Sequence, residues 1–217
     1  MVVIPVKSFT AGKERLAAAL DPTSRAVLIR IMADHVTRVA ESAGMLPVLV
    51  TEDSEVAGWA ASRGLPSIAD PGRGLSAAAE AGVAWALETG SKWLVVHADL
   101  PLLRQGDLEA LAGALHDGAE PIAPSADGGT SAIGSETQLP FSYGPGSFHR
   151  HLPRLGSPVV VVRPGLAHDI DSPEDFASAR RHPDGVWLDG PLISATGDGP
   201  TWGEPTLYWA HRYEDPR

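Results

Sequence analysis

The chain has 217 residues, 43% of them apolar and 20% charged, with a formal net charge of −10. That suits one medium domain with a sizeable core, and it is neither a disordered nor a membrane composition. The absence of cysteine excludes a disulfide scaffold, thiol catalysis and Cys-based zinc or iron–sulfur sites, and the negative charge argues against a nucleic-acid face. No apolar run approaches the roughly 20 residues needed to cross a bilayer. MVVIPVKSF has no basic stretch ahead of an apolar one, so a signal peptide is not expected and a cytoplasmic location is.

In chain order, Val2–Val6 reads as a short buried strand, β-branched and followed by a Ser/Gly loop. Asp21–Pro22–Thr23 opens a helix. Its Leu28, Met32, Val36 and Val39 fall on one face, and Gly44 ends it. Leu46–Thr51 is a second strand, Ser54–Arg63 a helix closed by Gly64, and Ser67–Ala69 a third strand. After the loop Asp70–Gly74, the Ala-rich Leu75–Thr89 is helical and stops at Gly90. Trp93–His97 is a fourth strand and Gln105–His116 a helix. Further on, Pro121–Pro124 and Thr130–Gly134 are candidate strands and Gly146–Leu155 a short helix. Val159–Arg163 is a strand, and Ser172–Pro173–Glu174–Asp175 opens a helix to Arg181 with a good N-cap, an early Pro and early acids.

Alternating strands and helices at short intervals predict an α/β fold with a mostly parallel central sheet and helices on both faces. From about His182 the composition shifts to Gly and Pro, with Trp187, Trp202 and Trp209 among them. Residues 1–182 are therefore read as one domain. Residues 183–217 are read as an extension that packs on it or on a second subunit, which allows for a homodimer.

In such a sheet, ligands bind beyond the carboxyl ends of the strands. Three polar segments lie there: Pro5–Leu16, Asp70–Ser76 and His97–Pro101. The chain has only three lysines, and Lys7 and Lys13 share the first segment with Arg15. This is either an anion site in an acidic protein or a solvated loop. Neither a P-loop nor G-x-G-x-x-G after a strand is present, which removes support for P-loop kinase and dinucleotide oxidoreductase readings. Asp99 in HADLP is placed equally well to hold a magnesium ion carrying phosphates or to cap the next helix. Asp169 and Asp171 point the same way if extended, again open to a metal or a capping role. Asp127–Ser131 and Gly144–Ser147 are Gly-rich loops. The second precedes a helix, so Ser147 and backbone N–H groups could hold an anion, or both loops are ordinary turns. His149 and His151 do not face each other on a helix, so no metal pair is expected there.

Taken in order, PVKSFTAGKERL, TEDSEVAGWA, DPGRGLSAA, HADLPLL, DGGTSA, YGPGSFHRH and PGLAHDIDSPEDF resemble the guanylyltransferases of deazaflavin coenzyme F-420 biosynthesis. That family includes the 2-phospho-L-lactate and phosphoenolpyruvate enzymes, and the resemblance covers about residues 2–181. It implies a Rossmann-like nucleotidyltransferase fold and a Mg2+-dependent enzyme. Its partners would be GTP and a small phosphorylated acid, with neither nucleic acid nor membrane. GMP would be joined to the acid and pyrophosphate released. By position, it implies metal binding at Asp99 and Asp169, with Asp171 as the alternate. It implies nucleotide binding at Pro5, Lys7, Gly12, Lys13, Asp70, Gly74 and Ser76, where Ser76 replaces a common Asn. Catalytic roles fall to Lys13, Arg15 and Asp99, and acceptor binding to Thr130, Gly144 and Ser147. As a loop residue, Lys13 is expected to matter for GTP use much more than for stability. Bacterial members favour phosphoenolpyruvate as acceptor. The alternatives are a nucleotidyltransferase of the same fold with another nucleotide or acceptor, of molybdenum-cofactor or sugar-phosphate type, and a non-catalytic nucleotide-binding protein.

Overall fold

The computed structural model describes residues 1–190. Seven strands, β1 (Val2–Pro5), β2 (Pro47–Thr51), β3 (Ser67–Ala69), β4 (Trp93–Val96), β5 (Glu120–Pro124), β6 (Thr130–Ser135) and β7 (Pro158–Val160), form one sheet. Its order is β3-β2-β1-β4-β6-β5-β7. All neighbours run parallel except at β6, which is antiparallel to both β4 and β5.

The helices are α1 (Pro22–Ser42), α2 (Ser54–Ser62), α3 (Leu75–Glu88), α4 (Gln105–His116), α5 (Ser147–His151), α6 (Pro164–Ala167) and α7 (Pro173–Arg181). Local chemistry starts several of them. Asp21 caps α1 by accepting from the N–H groups of Thr23 and Ser24, and Asp53 caps α2 in the same way. Ser172 and Asp175 form a reciprocal capping box on α7.

Strand side chains alternate between two apolar layers, as a period of two requires. Val2, Ile4, Leu49, Leu94 and Val96 pack with α1, α2 and α4. Val3, Val50, Trp93 and Val95 pack with α3 on the other face. Because both faces are covered at the centre of the sheet, the parallel strands β1, β2 and β4 are buried and almost wholly apolar, whereas the edge strands β3 and β7 are largely exposed. Gly82 lets α3 press onto the sheet: a Cβ there would lie 2.2 Å from Val3 Cγ1 and 2.9 Å from Val50 Cγ2.

The reversed β6 matters for the site. Its first residue, Thr130, arrives at the carboxyl end of β4, and the His97 N–H donates to the Ser131 carbonyl at 3.0 Å. The final predicted strand is shorter than its apolar run suggests. β7 ends at Val160, and Pro164, with its fixed φ and no N–H, starts α6. Val162 between them is exposed.

A third apolar cluster joins Leu16, Leu28, Met32, Leu102, Ile170 and Trp187. Trp187 lies in a 3-10 turn over Pro183–Leu188 and is only 6% exposed. It stacks on His35 at 4.9 Å between ring centroids, and its Nε1–H donates to the Pro101 carbonyl at 3.1 Å. The rest of the expected extension, including Trp202 and Trp209, lies outside the described residues. No described helix is long and apolar enough to cross a membrane.

Candidate active site

A cleft of about 210 Å3 opens at the carboxyl ends of β1 and β4. Pro5, Lys7, Gly12, Lys13, His97 and Asp99 line it, over Ile29 and Met32 of α1. Lys13 has φ 53°, the only positive φ among the described non-glycine residues. A left-handed backbone costs an L-residue roughly 1–2 kcal/mol, and such strain concentrates at functional sites. Here it starts a 3-10 turn over Glu14–Ala18. The Lys13 ammonium donates to both Asp99 Oδ2 and Asp171 Oδ1. Its side chain is 13% exposed, so it is more than the solvated loop lysine that the sequence suggests.

Asp99, Asp169 and Asp171 each bring one oxygen to a common locus, all within 4.8 Å of one another. The stretch before α7 is tied to the end of β4 by the Ile170 N–H, which donates to the Asp99 carbonyl at 3.2 Å. Neither Asp99 nor Asp171 is a helix cap. The cap of α7 is Ser172 with Asp175, and at α4 the Asp107 carboxylate accepts from the Arg104 N–H. Burial opposes the charge of Asp99, but Lys13 outweighs it and holds the pKa below the usual carboxylate value. Burial also opposes the Lys13 charge, and Asp99 and Asp171 outweigh it, holding the ammonium's pKa above the usual lysine value. Asp169 has no such partner among the described residues: burial, followed by the charge of Asp99, pushes it up to about 6.

One ammonium thus pairs with two carboxylates, and a third, Asp169, stands beside them. Asp99 Oδ1 is buried without a hydrogen-bond partner among the described residues. Hard oxygen donors in excess of local positive charge suit a divalent cation such as Mg2+. Two other buried polar atoms lack partners among the described residues, His97 Nε2 and the Tyr143 hydroxyl. Their rings are 5.2 Å apart between centroids.

The remaining residues singled out in the sequence are placed as follows. Arg15 is exposed and does not line the cleft. Asp70 accepts from the Gly72 N–H inside its own turn, and Gly74 starts α3 at φ 88°. Ser76 Oγ accepts from the Tyr143 N–H at 3.0 Å, fastening α3 to the Gly144–Ser147 turn. Thr130 and Ser147 are buried and joined to each other, with Ser147 Oγ donating to Thr130 Oγ1 at 3.3 Å. Asp127 is occupied in its own turn, accepting from the Gly129 N–H at 2.9 Å. His149 is exposed and His151 buried. The sequence reading named His97 only as the start of a strand-end segment and His151 only as half of a metal pair, and it did not single out Tyr143. An aromatic or imidazole beside a Gly-Pro-Gly turn was the one available signal.

A family model described as guanylyl transferase CofC-like matches residues 1–163. The phosphoenolpyruvate guanylyltransferase of Rubrobacter xylanophilus is 42% identical over 185 residues, covering 81% of this chain and 90% of that protein. Its namesake from Sphaerobacter thermophilus is 34% identical over 192 residues, covering 84% and 93%. Among solved structures, a putative nucleotide-diphospho-sugar transferase from Desulfovibrio desulfuricans G20 superposes with a TM-score of 0.68 at 17% identity, covering 89% of this chain and 96% of that one. A 4-diphosphocytidyl-2C-methyl-D-erythritol synthase gives 0.52 at 17% identity, covering 82% and 97%. At these identities the structural likeness speaks for the nucleotidyltransferase-type α/β fold alone.

Proposed function

The chain belongs to the CofC-like guanylyl transferase family, and from that premise we propose that it transfers GMP from GTP to a small phosphorylated carboxylic acid, with release of pyrophosphate, in coenzyme F-420 biosynthesis. Phosphoenolpyruvate is the acceptor favoured, because the relatives at 42% and 34% identity carry that name. A reaction that consumes GTP fits a cytoplasmic enzyme.

The observation that carries the reading is the cluster at the edge of the cleft in which Lys13 pairs with Asp99 and Asp171 and Asp169 stands beside them. The acceptor's phosphate oxygen attacks the α-phosphorus of GTP. The new P–O bond forms as the α–β bridging bond breaks, and pyrophosphate leaves with the electron pair. Such a transfer asks the protein for positioning and charge neutralisation, with no covalent intermediate. Asp99, Asp169 and Asp171 would hold Mg2+, which when bound offsets the negative charge of the two substrates. Lys13, which lines the cleft, would offer its ammonium to the phosphates of GTP. Lys7 lines the same cleft and adds a second cation. Arg15, exposed two residues beyond Lys13, would add a third cation for the departing pyrophosphate.

Pyrophosphate release is the test, measured with four nucleoside triphosphates against phosphoenolpyruvate, 2-phospho-L-lactate and 3-phospho-D-glycerate. GTP with a three-carbon phospho-acid should give release. Turnover only with another nucleotide or a sugar phosphate would move the chain to a sister activity of the fold. No release in any combination would leave a nucleotide-binding protein.

A further inference from the structure

His151 ends α5 and is 1% exposed, yet both of its ring nitrogens are engaged. Nε2 accepts from the Ser142 N–H at 2.8 Å. That bond needs a lone pair on Nε2, so a neutral ring carries its proton on Nδ1. Nδ1 therefore donates to Thr130 Oγ1, 3.0 Å away. Burial, then Arg154 and Arg150, lowers the pKa of His151 to about 4, which keeps the ring neutral. Ser147 Oγ donates to the same threonine oxygen. With both acceptor positions of that hydroxyl filled, its own proton is left to donate. No acceptor for it is found among the described residues.

These bonds join separate pieces of chain. Thr130 heads β6 beside the end of β4, whereas Ser142 and Ser147 belong to the turn and helix on the other side. The Tyr143 ring meets the imidazole edge-on at 4.9 Å, filling the space between them.

We propose that His151 is a positioning residue for the acceptor substrate. It fastens the Ser142–Ser147 turn to the head of β6, and its fixed tautomer turns the Thr130 hydroxyl into a donor for an anionic oxygen of the phospho-acid. This rests on the reading that Thr130, Gly144 and Ser147 form the acceptor pocket. The Gly-Pro-Gly turn ahead of it marks the neighbourhood of His151 in the sequence, but not this task. The role follows from which nitrogen must carry the proton.

The test uses the full-length protein, with steady-state kinetics in which GTP and phosphoenolpyruvate are varied separately. His151→Ala should raise the acceptor KM by about tenfold, the scale of one hydrogen bond, and leave the GTP KM within about twofold. His151→Asn, whose amide N–H can stand in for Nδ1–H, should recover most of the loss. In a Thr130→Val background His151→Ala should add little, because the two act through one hydroxyl. Long-range nitrogen–proton NMR on the wild type should find His151 protonated at Nδ1 alone. An unchanged acceptor KM in folded His151→Ala, equal rises in both KM values, full additivity with Thr130→Val, or a proton on Nε2 would each overturn the inference. Should His151→Ala fail to fold, His151→Asn and the tautomer measurement decide it. A wild type that turns over no phospho-acid refutes the functional reading and the acceptor role with it, whereas the tautomer result still reports on the hydrogen-bond bridge itself.

Discussion

Replacing Asp99 by Asn keeps the side chain's shape and removes its charge. In the wild type, Asp99 Oδ2 holds the Lys13 ammonium while Oδ1 is buried without a partner among the described residues. The substitution removes one of three carboxylates gathered within 4.8 Å, and it is the most buried of them. Loss of one strong electrostatic contribution at a reacting centre is worth about 10²-fold, or roughly 2.7 kcal/mol of barrier, so turnover should fall by at least that much. Stability should change little, because Lys13 keeps Asp171 and like-charge repulsion in the cluster falls. Asp169, relieved of its nearest like charge, should titrate below its present value of about 6. Pyrophosphate release and melting temperature, measured on the same preparation, provide the assay. Near-wild-type turnover in a folded Asp99→Asn protein would refute the assignment of this cluster to the chemistry.

Lys13→Ala should both impair GTP turnover and, without Mg2+, cost roughly 2 kcal/mol of stability, because a shielded charge pair is broken; added Mg2+ should restore the melting temperature but not the turnover, and a variant that melts normally in the absence of metal would contradict the ion-pair geometry. Trp187→Ala should destabilise by about 3–5 kcal/mol, the usual cost of truncating a buried tryptophan, and a chain ending at His182 should do at least as badly in a urea titration while keeping guanylyl transfer if it folds; unchanged midpoints would show that the stacking on His35 is worth nothing. Burial holds the His35 pKa down to about 4, against 6.5 when unfolded, so the folded state binds fewer protons in that window. Stability should therefore fall as pH drops from about 6.5 to 4, by about 3 kcal/mol from this group alone, with His151 acting in the same direction. A flat unfolding free energy across that window would show that His35 titrates normally.

The parallel half of the sheet was legible because β1, β2 and β4 are short Val-rich apolar runs and the helices between them are marked by caps and glycines. Asp21, Asp53 and Ser172 marked helix starts by a chemistry that acts within three residues. The antiparallel β6 was not legible: Thr130–Ser135 carries no sign of which neighbour it will pair with, and that choice is made by tertiary packing. The carboxylates of the site could be picked out singly, from their place after apolar strands, but whether Asp99 and Asp171 cap helices or face the cleft was settled only by the partners that took the caps, Ser172 with Asp175 and Asp107. The Lys13 ion pairs span 86 and 158 residues of sequence, a distance over which local pattern says nothing. Its left-handed backbone also followed no sequence rule, since glycine is the residue expected there. His151 was dismissed as a metal ligand for a sound reason, helical spacing, but its hydrogen bonds to Ser142 and Thr130 depend on a turn that spacing does not describe.

The most direct measurement is the identity of the product. Incubation of the full-length protein with GTP, phosphoenolpyruvate and Mg2+ should yield one new species in which GMP and the enol phosphate share a P–O–P bridge, seen as two coupled phosphorus-31 signals and a matching mass, with one pyrophosphate per product. Omission of Mg2+ should abolish it. GMP with no bridged adduct, or an adduct formed equally well without metal, would contradict the account.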